Sequence, residues 1–379
     1  MNIKNASYWE YKTWFHNIDF AVIGSGIVGL NCALALRKKH PRSKIVIFER
    51  GMLPSGASTK NAGFACFGSL SEILSDLQNH SEQEVIGLVQ ARIRGLELLR
   101  KTLGDVTLDF QLNGGFELFR SSENTLFETC LNKRAYVNKL LHPVFEADVF
   151  SEETNTFQFK NIQSTIIRNR FEGQIDTGKM VSGLLQKASE AQIHILNNAE
   201  ITQLHDSGSK VNFQLNNSEE LTAKQVCIAT NGFAKQLLHE NVQPARAQVL
   251  ITKPIKNLAI KGTFHLEEGY YYFRNIDDRI LLGGGRNLDI KGEETTVMKV
   301  TNLIQNKLEE LLHTTILPET AFEIERRWSG IMGVGSKKKP IVKQLSEHVF
   351  CGVRLGGMGV AIGSTIGADL ANLIPINTN

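Results

Sequence analysis

Residues 19–50 read DFAVIGSGIVGLNCALALRKKHPRSKIVIFER. An apolar run ends at Ile23, a Gly24-Ser25-Gly26-Ile27-Val28-Gly29 turn follows, and Ile27, Leu30, Ala33 and Leu34 then recur at helical spacing. Ile45 to Phe48 form a second short run, suited to a strand buried on both faces. The stretch predicts a βαβ unit. A Gly-x-Gly-x-x-Gly turn between strand and helix lets the backbone approach a pyrophosphate, and the helix N-terminus adds unpaired N–H groups and a favourable dipole. Glu49, at the end of the second strand, lies twenty residues beyond Gly29, where it can accept hydrogen bonds from ribose hydroxyls. A carboxylate there disfavours a phosphorylated ribose. The unit therefore predicts a dinucleotide, with NAD and FAD both open at this point.

Outward from this unit, the 379 residues exceed the size at which single cores stop growing, so two lobes are expected. Hydrophobic residues at 42% and charged residues at 21% permit a sizeable core and argue against disorder. A net charge of +3 is too small to imply a nucleic-acid partner, and Lys337-Lys338-Lys339 reads as a solvated loop. The five cysteines (Cys32, Cys66, Cys130, Cys227, Cys351) show no paired spacing, so neither a disulfide framework nor a metal site is expected, and a reducing cytoplasm fits. The aromatic and polar segment ASYWEYKTWFHN (6–17) does not read as a signal peptide, and no apolar run reaches membrane-spanning length.

Residues 71–103 have helical character, and the pattern from Val106 to Phe119 is strand-like, predicting entry into a second lobe. A helix from Asp176 to Glu190, a strand over Ile193 to Leu196 and strands ending at KQVCIATNG (224–232) return to the first lobe. Residues 246–288 are strand-rich, including GYYYFR (269–274) and RILLGGGR (279–286), and 295–313 read as an amphipathic helix. The segment 348–374 is strand, glycine turn and helix. The expected fold class is α/β: a Rossmann-like dinucleotide-binding domain with an inserted antiparallel-sheet substrate domain. The expected division is an extension (1–17), a discontinuous cofactor domain (18–90, 166–245 and 325–379), and a substrate domain (91–165 and 246–324).

Four further segments carry a family resemblance. Ser58-x-x-Asn61-Ala62-Gly63, Ile175-Asp176-Thr177-Gly178-Lys179, Ala229-Thr230-Asn231-Gly232 and Gly356-Gly357-Met358-Gly359-Val360 occur in the order and spacing of the D-amino-acid oxidase, glycine oxidase and sarcosine oxidase superfamily of FAD proteins. The chain resembles that superfamily from Asp19 to Ile374. The resemblance selects FAD over NAD and implies that the Rossmann-like domain is an FAD-binding domain of the glutathione-reductase type. It implies a cofactor site of Gly24, Gly26, Ile27, Val28, Gly29, Glu49, Arg50, Ser58, Asn61, Ala62, Gly63, Ile201, Ala229, Thr230, Asn231, Gly232, Gly330, Gly356, Gly357, Met358, Gly359 and Val360. Gly330 stands where sarcosine-oxidase-like members carry the cysteine that binds flavin, so the FAD is expected to be non-covalent. Backbone N–H groups of the last turn would face the flavin pyrimidine edge, where the reduced form carries negative charge.

The resemblance further implies hydride transfer from a small amine or amino-acid substrate to flavin, with an imine product that hydrolyses, and with oxygen or an electron carrier as acceptor. No nucleophile or metal is needed. In Glu325-Arg326-Arg327-Trp328-Ser329-Gly330-Ile331-Met332, Met332 stands where amino-acid oxidases place a carboxylate-binding arginine, and Lys337 stands where aspartate is common. Replacement donors are Arg354, Arg274 and Arg286, and Tyr272 is a candidate phenol above the flavin. GYYYFR with LLGGGR resembles amine-oxidising members such as the γ-glutamylputrescine oxidases. The alternatives are a 2-hydroxy-acid dehydrogenase on the same fold, a nicotinamide-dependent dehydrogenase, and a flavin-bearing accessory subunit without turnover.

Overall fold

A computed structural model describes residues 5–375. Residues 1–4 of the expected extension and 376–379 of the C-terminal segment lie outside the described residues. The described residues form two eight-stranded sheets and a small two-stranded one. In the first sheet, Ile18–Ile23 is central, pairing in parallel with Ile45–Phe48 on one side and Glu219–Ile228 on the other. His194–Leu196 and Val349–Val353 extend the parallel run outward. The register sets Ile23 beside Phe48 and Ile228, and Ile228 beside Cys351, so the carboxyl ends of strands far apart in sequence finish level. In open sheets of this kind the crevice beyond those ends receives ligands.

The helices Ile27–Lys39 and Gly359–Asn372 pack against each other over this sheet. Ile27, Val28, Leu30 and Leu36 share one apolar cluster with Val360, Ile362, Ile366 and Leu370. The helix Glu82–Leu103 joins the same layer. A methyl group on Gly95 would come within 2.0 Å of the Ala361 carbonyl oxygen, so the two helix backbones touch.

The second sheet runs Ile324–Val334, Gln243–Thr252, Arg279–Gly284, Tyr271–Ile276, Thr263–Leu266, Gly115–Leu118, Thr165–Asn169, Phe150–Thr154. All pairs are antiparallel except Gly115–Leu118 with Thr263–Leu266. Strand alternation decides what each face carries. Tyr271, Phe273, Phe264 and Leu266 point into an apolar core closed by the helix Asn302–Leu311, with Phe264 stacked on Phe273 at 4.5 Å. Tyr272 and His265, the intervening residues, point the other way and line a cavity between the sheets.

Several expectations change. Val106–Leu108 lie in a short helix, Asp105–Leu108, and only Gly115–Leu118 forms a strand in that region. Gly104 (φ 81°) and Asp109 (φ 49°) both adopt left-handed backbone and bracket that turn. The helix expected over 295–313 begins only at Asn302. Before it, the Thr301 N–H is spent on the Gln248 side chain, and the Val297 carbonyl accepts from Arg246. The expected boundary after residue 90 falls inside the helix Glu82–Leu103, whose Leu96, Leu99 and Leu103 pack with the first sheet's helices. The strands Thr165–Asn169 and Ile324–Val334, assigned to the cofactor domain from residues 166 and 325 on, belong to the second sheet.

Candidate active site

The cavity encloses about 440 Å³ and begins at the glycine turn. Gly24 takes φ +102°, with the Ala229 carbonyl oxygen 3.0 Å from where a Cβ would sit. At Gly29 a Cβ would lie 1.9 Å from the Gly24 oxygen. These glycines are steric requirements of the strand-to-helix turn. Gly26 caps the helix without a side chain, and the Ile27 N–H donates to the Ser58 hydroxyl at 2.9 Å. That helix N-terminus faces the cavity with its other first-turn N–H groups available to an anion.

Glu49 braces this turn. One carboxylate oxygen accepts from the Ser25 N–H (3.1 Å) and hydroxyl (2.7 Å), and the other from the Gly51 N–H (2.9 Å) and Ser55 hydroxyl (3.1 Å). The Arg50 guanidinium lies 3.6 Å over the Phe233 ring, and both residues line the cavity beyond Glu49. Phe233 was missed in the sequence, although it directly follows Asn231-Gly232.

Asn61 holds the next wall. Its Oδ1 accepts from the Gly63 N–H (2.8 Å) and the Thr177 hydroxyl (2.9 Å), while its Nδ2 donates to the carbonyls of Ala57 and Ser58. The Trp328 indole N–H reaches the Lys60 carbonyl at 2.9 Å, tying the second sheet to this loop. Asn231 (φ 42°) accepts the backbone N–H groups of Arg354 and Leu355, which orients the turn before the terminal helix. That turn passes through Gly356 (φ 58°) and Gly357 (φ 83°), and Met358 begins the helix without a side-chain cap. The Gly356 and Met358 N–H groups donate to the carbonyls of Gly333 and Leu355, so the donors left for a ligand are those of the first helical turn from Gly359. Of the expected cofactor residues, all but Gly29 line this one cavity, and Gly29 lies directly behind the turn.

The far end is built from side chains. Tyr272, Met332, Phe64, His265, Arg286, Glu72 and Glu268 line it. Phe64 meets the His265 ring edge-on at 5.3 Å and the Tyr272 ring at 5.6 Å. Burial pushes the Tyr272 phenol up to about 12, so it stays protonated through the physiological range. The Met332 sulfur lies 3.4 Å from where a Cβ on Gly357 would sit, giving an apolar wall where an arginine was expected by resemblance.

The three candidate arginines separate. Arg354 turns away: at φ 65° it sends its guanidinium to the carbonyls of Lys339 and Asn241, and it does not line the cavity. Arg274 is buried behind Gly63, its Nε unpartnered, and also does not line the cavity. Burial lowers its pKa to about 10 against the pull of Asp176, Asp109 and Asp277, which leaves it charged at neutral pH. Arg286 alone enters the cavity, and among the described residues its guanidinium makes no hydrogen bond or ion pair. As substrate-binding candidates, Arg354 and Arg274 are therefore replaced by Arg286.

His265 was not anticipated. Its Nε2 lies 2.6 Å from the Glu172 carboxylate, which also accepts the Thr263 hydroxyl at 2.7 Å. The available signal was alternation: His265 occupies the one position in Phe264-His265-Leu266 that faces the same side as Tyr272. All five cysteines are free and buried, and the described residues contain no cluster of metal-ligating side chains. No helix among them is long and apolar enough to cross a membrane.

Comparison with known proteins fits this geometry. Residues 19–373 match the model of the FAD dependent oxidoreductase family, and the chain belongs to that family. A bifunctional ThiO/ThiG protein from Synechocystis is 23% identical over 61% of this chain, which spans 32% of that relative's length. Among solved structures, iminodiacetate oxidase from Chelativorans superposes with a TM-score of 0.74 at 17% identity, covering 94% of this chain and 97% of that one. Glycine oxidase from Geobacillus kaustophilus gives 0.73 at 19% identity, covering 96% and 97%. The likeness in structure is one of fold.

Proposed function

We propose that this FAD-dependent oxidoreductase oxidises a small amine or amino acid to an imine, which water then hydrolyses. The observation that carries the reading is the continuity of one cavity. It runs from the glycine turn, past Asn61 and the turn Gly356–Val360, to a chamber walled by Phe64, Tyr272 and Met332 with Arg286 at its edge. FAD fits the near part, because glycines where a Cβ would collide and uncapped helix N-termini give it backbone donors in the right places. Bound FAD supplies the hydride acceptor for the substrate carbon.

The chain's own residues do the remaining work. Phe64, Tyr272 and Met332 confine the substrate and exclude water, fixing its carbon in one orientation. Arg286 offers two parallel N–H donors to a carboxylate. Glu49 holds Ser25 and so the shape of the pyrophosphate turn, and its carboxylate would accept a ribose hydroxyl of bound FAD. Attachment of the FAD is non-covalent: Cys66, which lines the cavity, has its thiol held well above its usual range by burial and by the nearby Glu172 and Glu72, so its thiolate is scarce. The free, buried cysteines support a reducing compartment, the cytoplasm.

The test is anaerobic screening of the purified yellow protein against amines, N-methyl amino acids, D-amino acids and 2-hydroxy acids, following flavin bleaching. Bleaching by a nitrogen-bearing substrate is expected. Bleaching by 2-hydroxy acids alone, or a colourless protein, would refute the reading. Readmission of oxygen then identifies the acceptor, since fast recolouring marks oxygen and slow recolouring an electron carrier.

A further inference from the structure

Three features outside the cofactor contacts invite explanation: the buried Arg274, the acidic mouth formed by Glu72 and Glu268, and the pair of His265 with Glu172. The last combines a cavity-facing side chain with a polar partner that has no other evident purpose. We infer that His265 is a substrate-recognition residue, an imidazolium donating through Nδ1 to an anionic oxygen of the substrate, and that Glu172 is the positioning residue that keeps it charged. This deepens the amine-oxidation reading and rests on it.

Geometry comes first. His265 is 6% exposed and lines the cavity, while Glu172 is 0% exposed and does not. Nε2 is committed to Glu172 at 2.6 Å, and among the described residues Nδ1 has no hydrogen-bond partner. Phe64 packs edge-on against the ring and Tyr272 is its cross-strand neighbour, so ring rotation is blocked. Glu172 itself is fixed by the Thr263 hydroxyl and pressed under Gly115, where a Cβ would overlap its carboxylate.

Charge comes second. The titratable groups facing the ring are Glu172 from the loop after Thr165–Asn169, Glu117 from the adjacent strand, Glu72 from the helix Leu70–Asn79, and Tyr272 and Cys66. Burial by itself lowers the imidazolium, but the charge and hydrogen bond of Glu172, with Glu72 and Glu117 behind, raise it to about 9. Glu117 is held by Ser69 and Ser71 and does not line the cavity. At neutral pH the face that this group turns to the cavity is therefore an N–H donor, and above about 9 it becomes an acceptor.

The experiment titrates flavin-containing protein with acetate, using acetamide as the uncharged control, and reads the perturbation of the flavin spectrum between pH 5.5 and 10. Wild-type affinity for acetate should hold to about pH 8 and fall about tenfold per pH unit above about 9. Burial holds the Tyr272 phenol up at about 12 and the Cys66 thiol well above its usual range, so neither accounts for a fall near 9. Glu172→Gln should move the fall down toward 6.5, weakening acetate at pH 7 about fourfold and restoring it below about pH 6. His265→Gln should bind weakly at every pH. Recovery of Glu172→Gln at low pH separates lost charge from damaged structure. The inference is overturned by wild-type affinity that stays flat to pH 10, by His265→Gln retaining the wild-type profile, or by acetamide binding as acetate does. A protein without flavin would instead defeat the underlying functional reading.

Discussion

The two ends of the cavity are built from different materials. The nucleotide end is made of backbone: two glycines that admit no Cβ, a helix N-terminus, and one carboxylate bracing the turn through four hydrogen bonds. The substrate end is made of side chains projecting from different strands, with Tyr272, His265 and Met332 brought together by sheet register. Backbone approach tolerates almost no substitution, because a steric clash cannot relax cheaply. Side-chain walls can be rewritten one residue at a time, so a single fold can serve many substrates.

The strongest challenge to this contrast is Gly29→Ala. With the added methyl only 1.9 Å from the Gly24 oxygen, the turn must open, and bound flavin should fall to near zero in the ratio of flavin to protein absorbance. An alanine variant with a full complement of FAD would remove the steric account of this end. Next in size is Glu49→Ala, which strands the Ser25 and Gly51 N–H groups. At about 1–3 kcal/mol for each buried donor left unpaired, FAD should bind on the order of a hundredfold more weakly by equilibrium dialysis.

At the other end, Arg286→Gln should leave the flavin spectrum unchanged and raise KM for a carboxylate-bearing amine roughly tenfold or more, as expected for losing a charge-assisted bond of about 1.5–3 kcal/mol. An equal loss with a substrate lacking the carboxylate would mean that the arginine serves structure. Smallest in effect on turnover is Arg354→Gln. It should keep KM within about twofold while lowering stability by about 1–3 kcal/mol in a denaturant titration, since its bonds go to the carbonyls of Lys339 and Asn241.

The same contrast explains what the sequence made legible. The parallel unit, Glu49 and the terminal glycine turn could be read because their chemistry is local: spacing along the chain sets spacing in space. Arg354 could not be judged so. It stands two residues before Gly356, but its left-handed backbone turns the side chain away from the cavity and onto the carbonyls of Lys339 and Asn241. Arg286 was visible as one of three arginines, and only the path of the chain after Gly285 chose among them. His265 and Glu172 are 93 residues apart and meet through a parallel pairing of Gly115–Leu118 with Thr263–Leu266, which no local pattern announces. The boundaries between sheets were also hidden, because Glu82–Leu103 has an apolar stripe whichever layer it joins.

The central position of Ile18–Ile23, with Val349–Val353 and Gly359–Asn372 completing the same sheet and cavity, has a consequence for how the protein is made. The earlier-made turn cannot enclose its ligand until the later-made helix Gly359–Asn372 docks on Ile27–Lys39. At about 5–20 residues per second on a ribosome, the roughly 300 residues between them take on the order of 15–60 s to emerge. During that interval the nascent sheet exposes an unpaired edge, first that of Ile18–Ile23 and then that of Glu219–Ile228, so cofactor supply and chaperone protection should matter until Val349–Val353 and Gly359–Asn372 close over the flavin.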